Sequence, residues 1–173
     1  MSNVYVIADL HLGHTDIHKK WRNKFSSQQE HDEFIIAMWN SIVRSRDVVK
    51  VLGDFIIGRK NLHYLKELKG TIHIIGGNHD VKFNRELFND YPNVSYVSGV
   101  EIYKGVVLSH VPVHPLELGT YRGWQYNMHG HQHRQFDLGH RYFNVNADVI
   151  GFSPREFKTL CREAEWKLDC LTT

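Results

Sequence analysis

Seven polar residues stand at the ends of apolar runs in this chain: Asp9, His11, Asp54, Asn78, His110, His131 and His133. They are two carboxylates, one amide and four imidazoles, all oxygen or nitrogen donors with no thiolate among them. Such a set suits Mn²⁺, Fe or Zn²⁺ and argues against a cysteine-built structural zinc site. Seven donors exceed what one ion can take while keeping a position open. They fit two divalent ions roughly 3.5–4 Å apart, the spacing of two-metal hydrolytic sites. One carboxylate must then bridge the ions, because a lone neutral donor does not offset two adjacent cations. Asp54, which lies between the other donors in sequence, is the choice for that bridge. Mn²⁺ is the first assignment, with Fe, Zn²⁺, Ni²⁺ and Mg²⁺ as alternatives.

The elements that must position these residues can be read from pattern. Val4 to Ala8 is an apolar strand that delivers Asp9 and His11, which are two apart and so aim the same way in extended chain. Asp47 to Leu52 is a second strand ending in Gly53-Asp54, and Thr71 to Ile75 a third, ending in Gly76-Gly77-Asn78-His79-Asp80. The paired glycines let the backbone turn sharply and come close to whatever sits at the strand end. Ser27 to Glu30 is a capping box that opens a helix with Phe34, Ile35, Met38, Trp39, Ile42 and Val43 on one face. Thr15 to Ser26, with Trp21, Arg22 and Phe25, reads as a polar segment near the site. Asn61 to Leu68 reads as a short helix returning to the third strand. Alternating strands and helices predict right-handed crossovers and a mainly parallel first half.

In the second half, Asn93 to Val97, Val100 to Tyr103 and Val106 to His110 are strands separated by glycine-containing turns, the pattern of an antiparallel meander. Pro115 to Asn127 reads as a loop carrying Tyr121, Arg122, Trp124 and Tyr126, and a strand runs from His140 to Val145. Ser153-Pro154-Arg155-Glu156 is a second capping box, opening a last helix to about Ala164.

The 173 residues, 42% of them hydrophobic, suffice for one domain, residues 1–173, with a buried core. With 21 basic and 19 acidic residues, the net charge of +2 gives no basic stripe for a nucleic-acid track or a membrane surface. No apolar run approaches about 18 residues and no leader pattern opens the chain, so the expectation is a cytoplasmic protein. Cys161 and Cys170 read as reduced thiols.

Taken in order, Asp9-x-His11, Gly53-Asp54, Gly77-Asn78-His79-Asp80, His110 and Gly130-His131-x-His133 resemble the signature of the calcineurin-like metallophosphoesterases. The blocks from Asp9 to His14 and from Phe143 to Asp148 look like the small single-domain bacterial and phage members. The resemblance implies an α/β fold, a four-layer αββα sandwich of two mixed β-sheets flanked by helices. It implies one ion on Asp9, His11, Asp54 and His133 and another on Asp54, Asn78, His110 and His131. His79 would face the phosphate as general acid or transition-state donor, with Asp80 fixing its tautomer. The implied activity is metal-dependent hydrolysis of a phosphomonoester or phosphodiester by a hydroxide shared between the ions.

His14, one turn after the first ligands, and Arg122, in the aromatic loop, are the candidates for contact with substrate. His129 is read as supporting the site, while His18, His31, His63, His73, His114 and His140 are read as ordinary. The expected partner is a small, nucleotide-like phosphate ester. The alternatives are a nuclease or phosphodiesterase acting on nucleic acid, and a non-catalytic metal-binding scaffold. Oligomeric state is left open.

Overall fold

A computed structural model of the chain describes residues 2–80, 85–119 and 124–168. The apolar runs Val4–Ile7 (β1), Val48–Leu52 (β2) and Thr71–Ile75 (β3) form parallel strands, paired Val4 with Val48 and Val48 with Thr71 onward. Val94–Ser98 (β4) joins β3 in parallel. Val100–Tyr103 (β5), Val106–Ser109 (β6), Tyr126–His129 (β7) and Tyr142–Asn144 (β8) make a second sheet in the order β5-β6-β7-β8. Arg155–Glu156 (β9) pairs antiparallel with β1 and completes the first sheet as β4-β3-β2-β1-β9.

Strand periodicity explains how the sheets are covered. Tyr5 and Ile7 of β1 point to one face, where they pack with Val49, Val51, Ile72 and Ile74. Against that face lies Gln28–Ile42 (α2, the second helix after Ile17–Lys20, α1), contributing Ile35 and Trp39. Val6 and Ala8 point the other way, with Leu52 and Ile75, and meet Val106, Leu108 and Met128 of the second sheet. After Ala147–Ile150 (α3), Phe157–Glu163 (α4) adds Phe157 and Leu160 to this intersheet core. The far face of the second sheet is covered by 111–119, with Leu118 buried, Val113 N–H donating to Asn127 Oδ1 at 3.0 Å and Tyr142 Oη donating to Val113 O at 2.9 Å. The architecture is thus two mixed sheets with flanking helices, the expected α/β fold.

Several local expectations are corrected. The strands after Asn93 are not one meander: β4 belongs to the first sheet, Gly99 marks the crossing, and only β5 and β6 pair antiparallel. β6, β7 and β8 are parallel, and β7 begins inside the stretch read as a loop. The predicted helix from Asn61 is a 3₁₀ segment, Arg59–Lys66. Ser153 does not cap α4; Arg155 and Glu156 instead pair with Val6 and Tyr5, since edge pairing satisfies more backbone than a local cap would. At α2 the Ser27 side chain does accept from Glu30 N–H, while the Glu30 carboxylate accepts from Ser26 N–H at 2.7 Å.

Candidate metal centre

Parallel strands end on one side, so β1, β2 and β3 deliver Asp9, Asp54 and Asn78 to a common edge. β6 and β7, themselves parallel, bring His110, His131 and His133 to the facing edge of the second sheet. The turns are tightly zipped: Asp9 N–H donates to Gly53 O at 2.9 Å and His11 N–H to Asp54 O at 2.9 Å. Asp9, His11, Asp54 and His131 all have left-handed backbone, with φ of 58°, 53°, 50° and 67°. Non-glycine residues rarely hold that conformation, which costs about 1–3 kcal/mol each and concentrates at functional sites. Gly77 allows the close approach: a Cβ there would lie 2.3 Å from Asp54 Oδ1.

The seven side chains converge as two groups. Donor atoms of Asp9, His11 and His133 lie within 4.8 Å of one another, and those of Asp54, His110 and His131 do likewise. Asp54 Oδ2 stands between them, 3.9 Å from His11 Nε2 and 3.5 Å from His110 Nε2. In the second group His110 Nδ1–H donates to Leu52 O at 2.9 Å, which leaves Nε2 bare. That nitrogen faces Asn78 Oδ1 at 2.9 Å and His131 Nδ1 at 3.2 Å. Burial holds the His110 imidazole below its ordinary pKa, toward the neutral form. Lone pairs of Asp54 Oδ2, Asn78 Oδ1 and His110 Nε2 then converge beside His131 Nδ1, an arrangement that a cation stabilises.

The first group gives the same indication. Asp9 Oδ1 and both ring nitrogens of His11 are buried without a hydrogen-bond partner, and His11 Nε2 lies 3.9 Å from Asp9 Oδ1. Burial pushes the Asp9 carboxyl well above the usual carboxylate range and His11 well below the usual imidazole value. Orphaned buried polar atoms are rare and costly, and a divalent ion would satisfy Asp9 Oδ1 and one of the two His11 nitrogens. The donor set therefore fits two divalent cations.

Around the groups, the remaining candidates fall out differently. His79 is half exposed, with Nε2 3.9 Å from Asp54 Oδ2, while its backbone N–H donates to Asp54 Oδ1 at 2.9 Å. Asp80 does not hold the His79 ring as expected. Its Oδ2 accepts from the backbone N–H of Asp54 at 2.6 Å and of Gly77 at 2.9 Å, so it braces the turns that carry the candidate donors Asp54 and Asn78. His14 lines the groove, its ring 5.7 Å from that of His11 and 6.3 Å from that of His79. Its Nδ1 accepts from Asp16 N–H at 3.2 Å, leaving Nε2–H as the ring's remaining donor. His129 is buried, with Nδ1–H donating to Gly130 O at 2.9 Å. Arg122 and Tyr121 lie outside the described residues.

Asp148 and the role of Arg22 are not legible in the sequence. His133 Nδ1–H donates to Asp148 Oδ2 at 2.7 Å, which turns Nε2 toward the site, and Arg22 in turn donates to Asp148. Burial opposes ionisation of Asp148, but the bonds from His133 and Arg22 outweigh it and hold its pKa below the usual carboxylate value. A lone arginine gives no sign of a partner 126 residues away. The wall of the groove, a cavity of about 510 Å³, is lined in part by Ile17 and Trp21, from the segment expected near the site, and by Arg134 and Phe136, which were not foreseen. Trp21 is stacked on His133 at 5.4 Å, and Trp21 and Phe136 are each more than half exposed. No helix among the described residues is long and apolar enough to cross a membrane.

Comparison with known proteins agrees with this geometry. An uncharacterized protein of Methanocaldococcus jannaschii is 30% identical over 165 residues, spanning 89% of this chain and 86% of that one. The Gene 66 protein of Mycobacterium phage L5 is 34% identical over 85 residues, 46% of this chain and 41% of its own. Among solved structures, a protein of unknown function from Aquifex aeolicus superposes with a TM-score of 0.69 at 21% identity, covering 94% of this chain and all of that one. The nuclease MPE of Pseudomonas putida superposes with a TM-score of 0.52 at 21% identity, over 80% of this chain and 65% of that chain. At that identity these two show likeness of fold alone. The family model for calcineurin-like phosphoesterases matches residues 2–168, the span that holds both donor groups. Sequence order, fold and convergent donors agree, and the chain belongs to the calcineurin-like phosphoesterase family.

Proposed function

We propose that this protein hydrolyses phosphoester bonds of a small, nucleotide-like substrate with two divalent metal ions, Mn²⁺ first among Fe, Zn²⁺, Ni²⁺ and Mg²⁺. The observation that carries the proposal is Asp54 Oδ2 facing both donor groups at the floor of an open groove. Asp9, His11, Asp54 and His133 would hold one ion, and Asp54, Asn78, His110 and His131 the other. When bound, the ions supply positive charge for the phosphoryl oxygens and lower the pKa of an attacking water.

The chain's own residues do the rest. Asp54 would offset the charge of two neighbouring cations. Asp80 and the His79 N–H hold its backbone and its second oxygen in place. His79, half exposed above Asp54, is placed to donate to a phosphoryl oxygen or to the leaving oxygen, and His14 Nε2–H is a second donor on the same wall. Trp21 and Phe136 offer exposed aromatic surface on which a planar base can stack, with the Arg134 guanidinium beside them for a further phosphate.

The test is hydrolysis of p-nitrophenyl phosphate, bis-p-nitrophenyl phosphate and a panel of nucleotides by metal-stripped protein, with each ion added back. Metal-dependent turnover that disappears in Asp54→Ala is the expected result. No turnover and no bound metal would sink the proposal. A second reading, nuclease action, is favoured by the likeness in fold to the Pseudomonas putida nuclease. Cleavage of single-stranded oligonucleotides in preference to mononucleotides would select it.

A further inference from the structure

One guanidinium lies beneath the Asp9–His11–His133 group and, among the described contacts, touches no residue of the other group. Arg22 follows α1 and is 2% exposed. Its Nη2 donates to Asp9 O at 2.5 Å and its Nη1 to Leu10 O at 2.9 Å. Those carbonyls belong to the two peptide groups that join Asp9 to His11, the segment whose left-handed turns aim both side chains. On its other side, Nη2 donates to Asp148 Oδ2 at 2.8 Å and Nε to Asp148 Oδ1 at 3.0 Å. Asp148 in turn holds His133 Nδ1 at 2.7 Å. Every member of that group is therefore tied to a single side chain. Asn78, His110 and His131 are held otherwise, His110 by Leu52 O and the His131 N–H by Asp9 Oδ2.

The anchor behind Arg22 is also defined. A guanidinium carries only donors, so His31 Nε2, 2.7 Å from Nη1, must accept. The proton of this imidazole then sits on Nδ1, which donates to Asp32 Oδ1 at 2.8 Å. Asp32 Oδ2 accepts from Gly13 N–H and Tyr64 Oη, each at 3.0 Å. The chain of contacts runs from α2 through His31 and Arg22 to the backbone of one ligand pair and the ring of a third ligand. Only a planar fork of fixed geometry reaches all of these partners at once.

We infer that Arg22 is a positioning residue chiefly for one metal ion: it sets the Asp9–His11–His133 position directly and reaches the Asn78–His110–His131 position only at second hand, through bonds such as that from His131 N–H to Asp9 Oδ2. The inference rests on the two-metal reading above. It makes the first position the one whose affinity depends on a residue that touches no metal. Loss of such an orienting partner weakens metal binding by about 10–100-fold.

The experiment loads metal-stripped wild type, Arg22→Gln and Asp148→Asn with Mn²⁺. It reads ions per chain by elemental analysis and the coupling between ions by electron paramagnetic resonance. Wild type is expected to hold two ions with an exchange-coupled signal. Arg22→Gln is expected to hold one tight ion with an isolated six-line spectrum, the second ion binding about 10–100-fold more weakly. Asp148→Asn takes the charge and one of the two acceptor oxygens from the link between Arg22 and His133, at a partly exposed side chain, so it reports in the same direction even if Arg22→Gln fails to fold. Folded variants that keep two tight, coupled ions would overturn the inference, as would folded variants that lose both ions together. A wild type holding fewer than two ions would instead refute the two-metal reading and take this inference with it.

Discussion

His79 differs from its neighbours in a way that separates binding from turnover. Its backbone N–H, not its ring, supports Asp54, donating to Oδ1 at 2.9 Å. The ring is half exposed and stands 3.9 Å from Asp54 Oδ2, facing the groove. Replacing it by alanine keeps the backbone bond and removes the ring alone. His79→Ala is therefore expected to retain both metal ions while turnover falls about 10²–10⁴-fold, the range for loss of a positioned proton donor. Steady-state kinetics on the metal-loaded variant, with its metal content measured on the same sample, checks this. Loss of the metals would instead make His79 part of the ligand set. Asp80 belongs to a different class of residue, because its bonds go to the Asp54 and Gly77 backbone.

The elements supply what the residues cannot, a fixed distance between strand ends, and here α2 matters most. Trp39 on α2 is fully buried, stacks on Phe55 with ring centroids 6.0 Å apart, and donates its indole N–H to Lys69 O at 2.9 Å. Phe55 follows Asp54, so the helix presses directly on the turn that carries the carboxylate between the two donor groups. Trp39→Ala is expected to cost about 3–5 kcal/mol in denaturant unfolding of the metal-free protein and to weaken metal binding at both positions. A loss below about 1 kcal/mol would show that the turn holds itself. This helix was legible in the sequence because its apolar face and cap recur at fixed short spacing. So were the ligand blocks, which are local and sit at the ends of apolar runs. β7 was not, because Asn127 and His129 make Tyr126–His129 look polar. Both are buried, Asn127 spending its amide on Val107 O, Ser109 Oγ and Met128 O. The pairing of β9 with β1 and the Arg22–Asp148 bond were illegible for a related reason: each joins residues more than a hundred positions apart, and no short spacing encodes them.

Over the whole molecule, this many buried imidazoles makes stability a function of pH. The chain has 13 histidines. Burial lowers the pKa of His11, His31, His110 and His129, two of them in the candidate donor groups and two in the surrounding network. In the unfolded chain each titrates near its ordinary value of about 6.5. A group whose folded pKa lies below its unfolded one binds protons more readily when unfolded, so protonation favours unfolding. Its contribution to stability is full above about pH 6.5 and is lost as pH falls toward the folded value. Two buried carboxyls, Asp9 and Asp80, act with the opposite sign, since burial raises their pKa; on their account the metal-free fold weakens as pH rises above about 4. Asp47 adds a third window: hydrogen bonds from Arg44 lower it to about 2, so its contribution is full above about pH 4 and is lost as pH falls from there through the folded value. A bound divalent ion removes the penalty on Asp9 and competes with protons for His11 and His110, so metal stabilises more as pH rises. Denaturation midpoints of metal-free protein between pH 8 and pH 5 are therefore expected to fall most steeply below about 6.5. The increment given by saturating Mn²⁺ is expected to shrink over the same interval. A flat profile without metal would mean that these histidines are not held neutral. A Mn²⁺ increment independent of pH would mean that the ion does not displace protons from the donors identified at the strand ends.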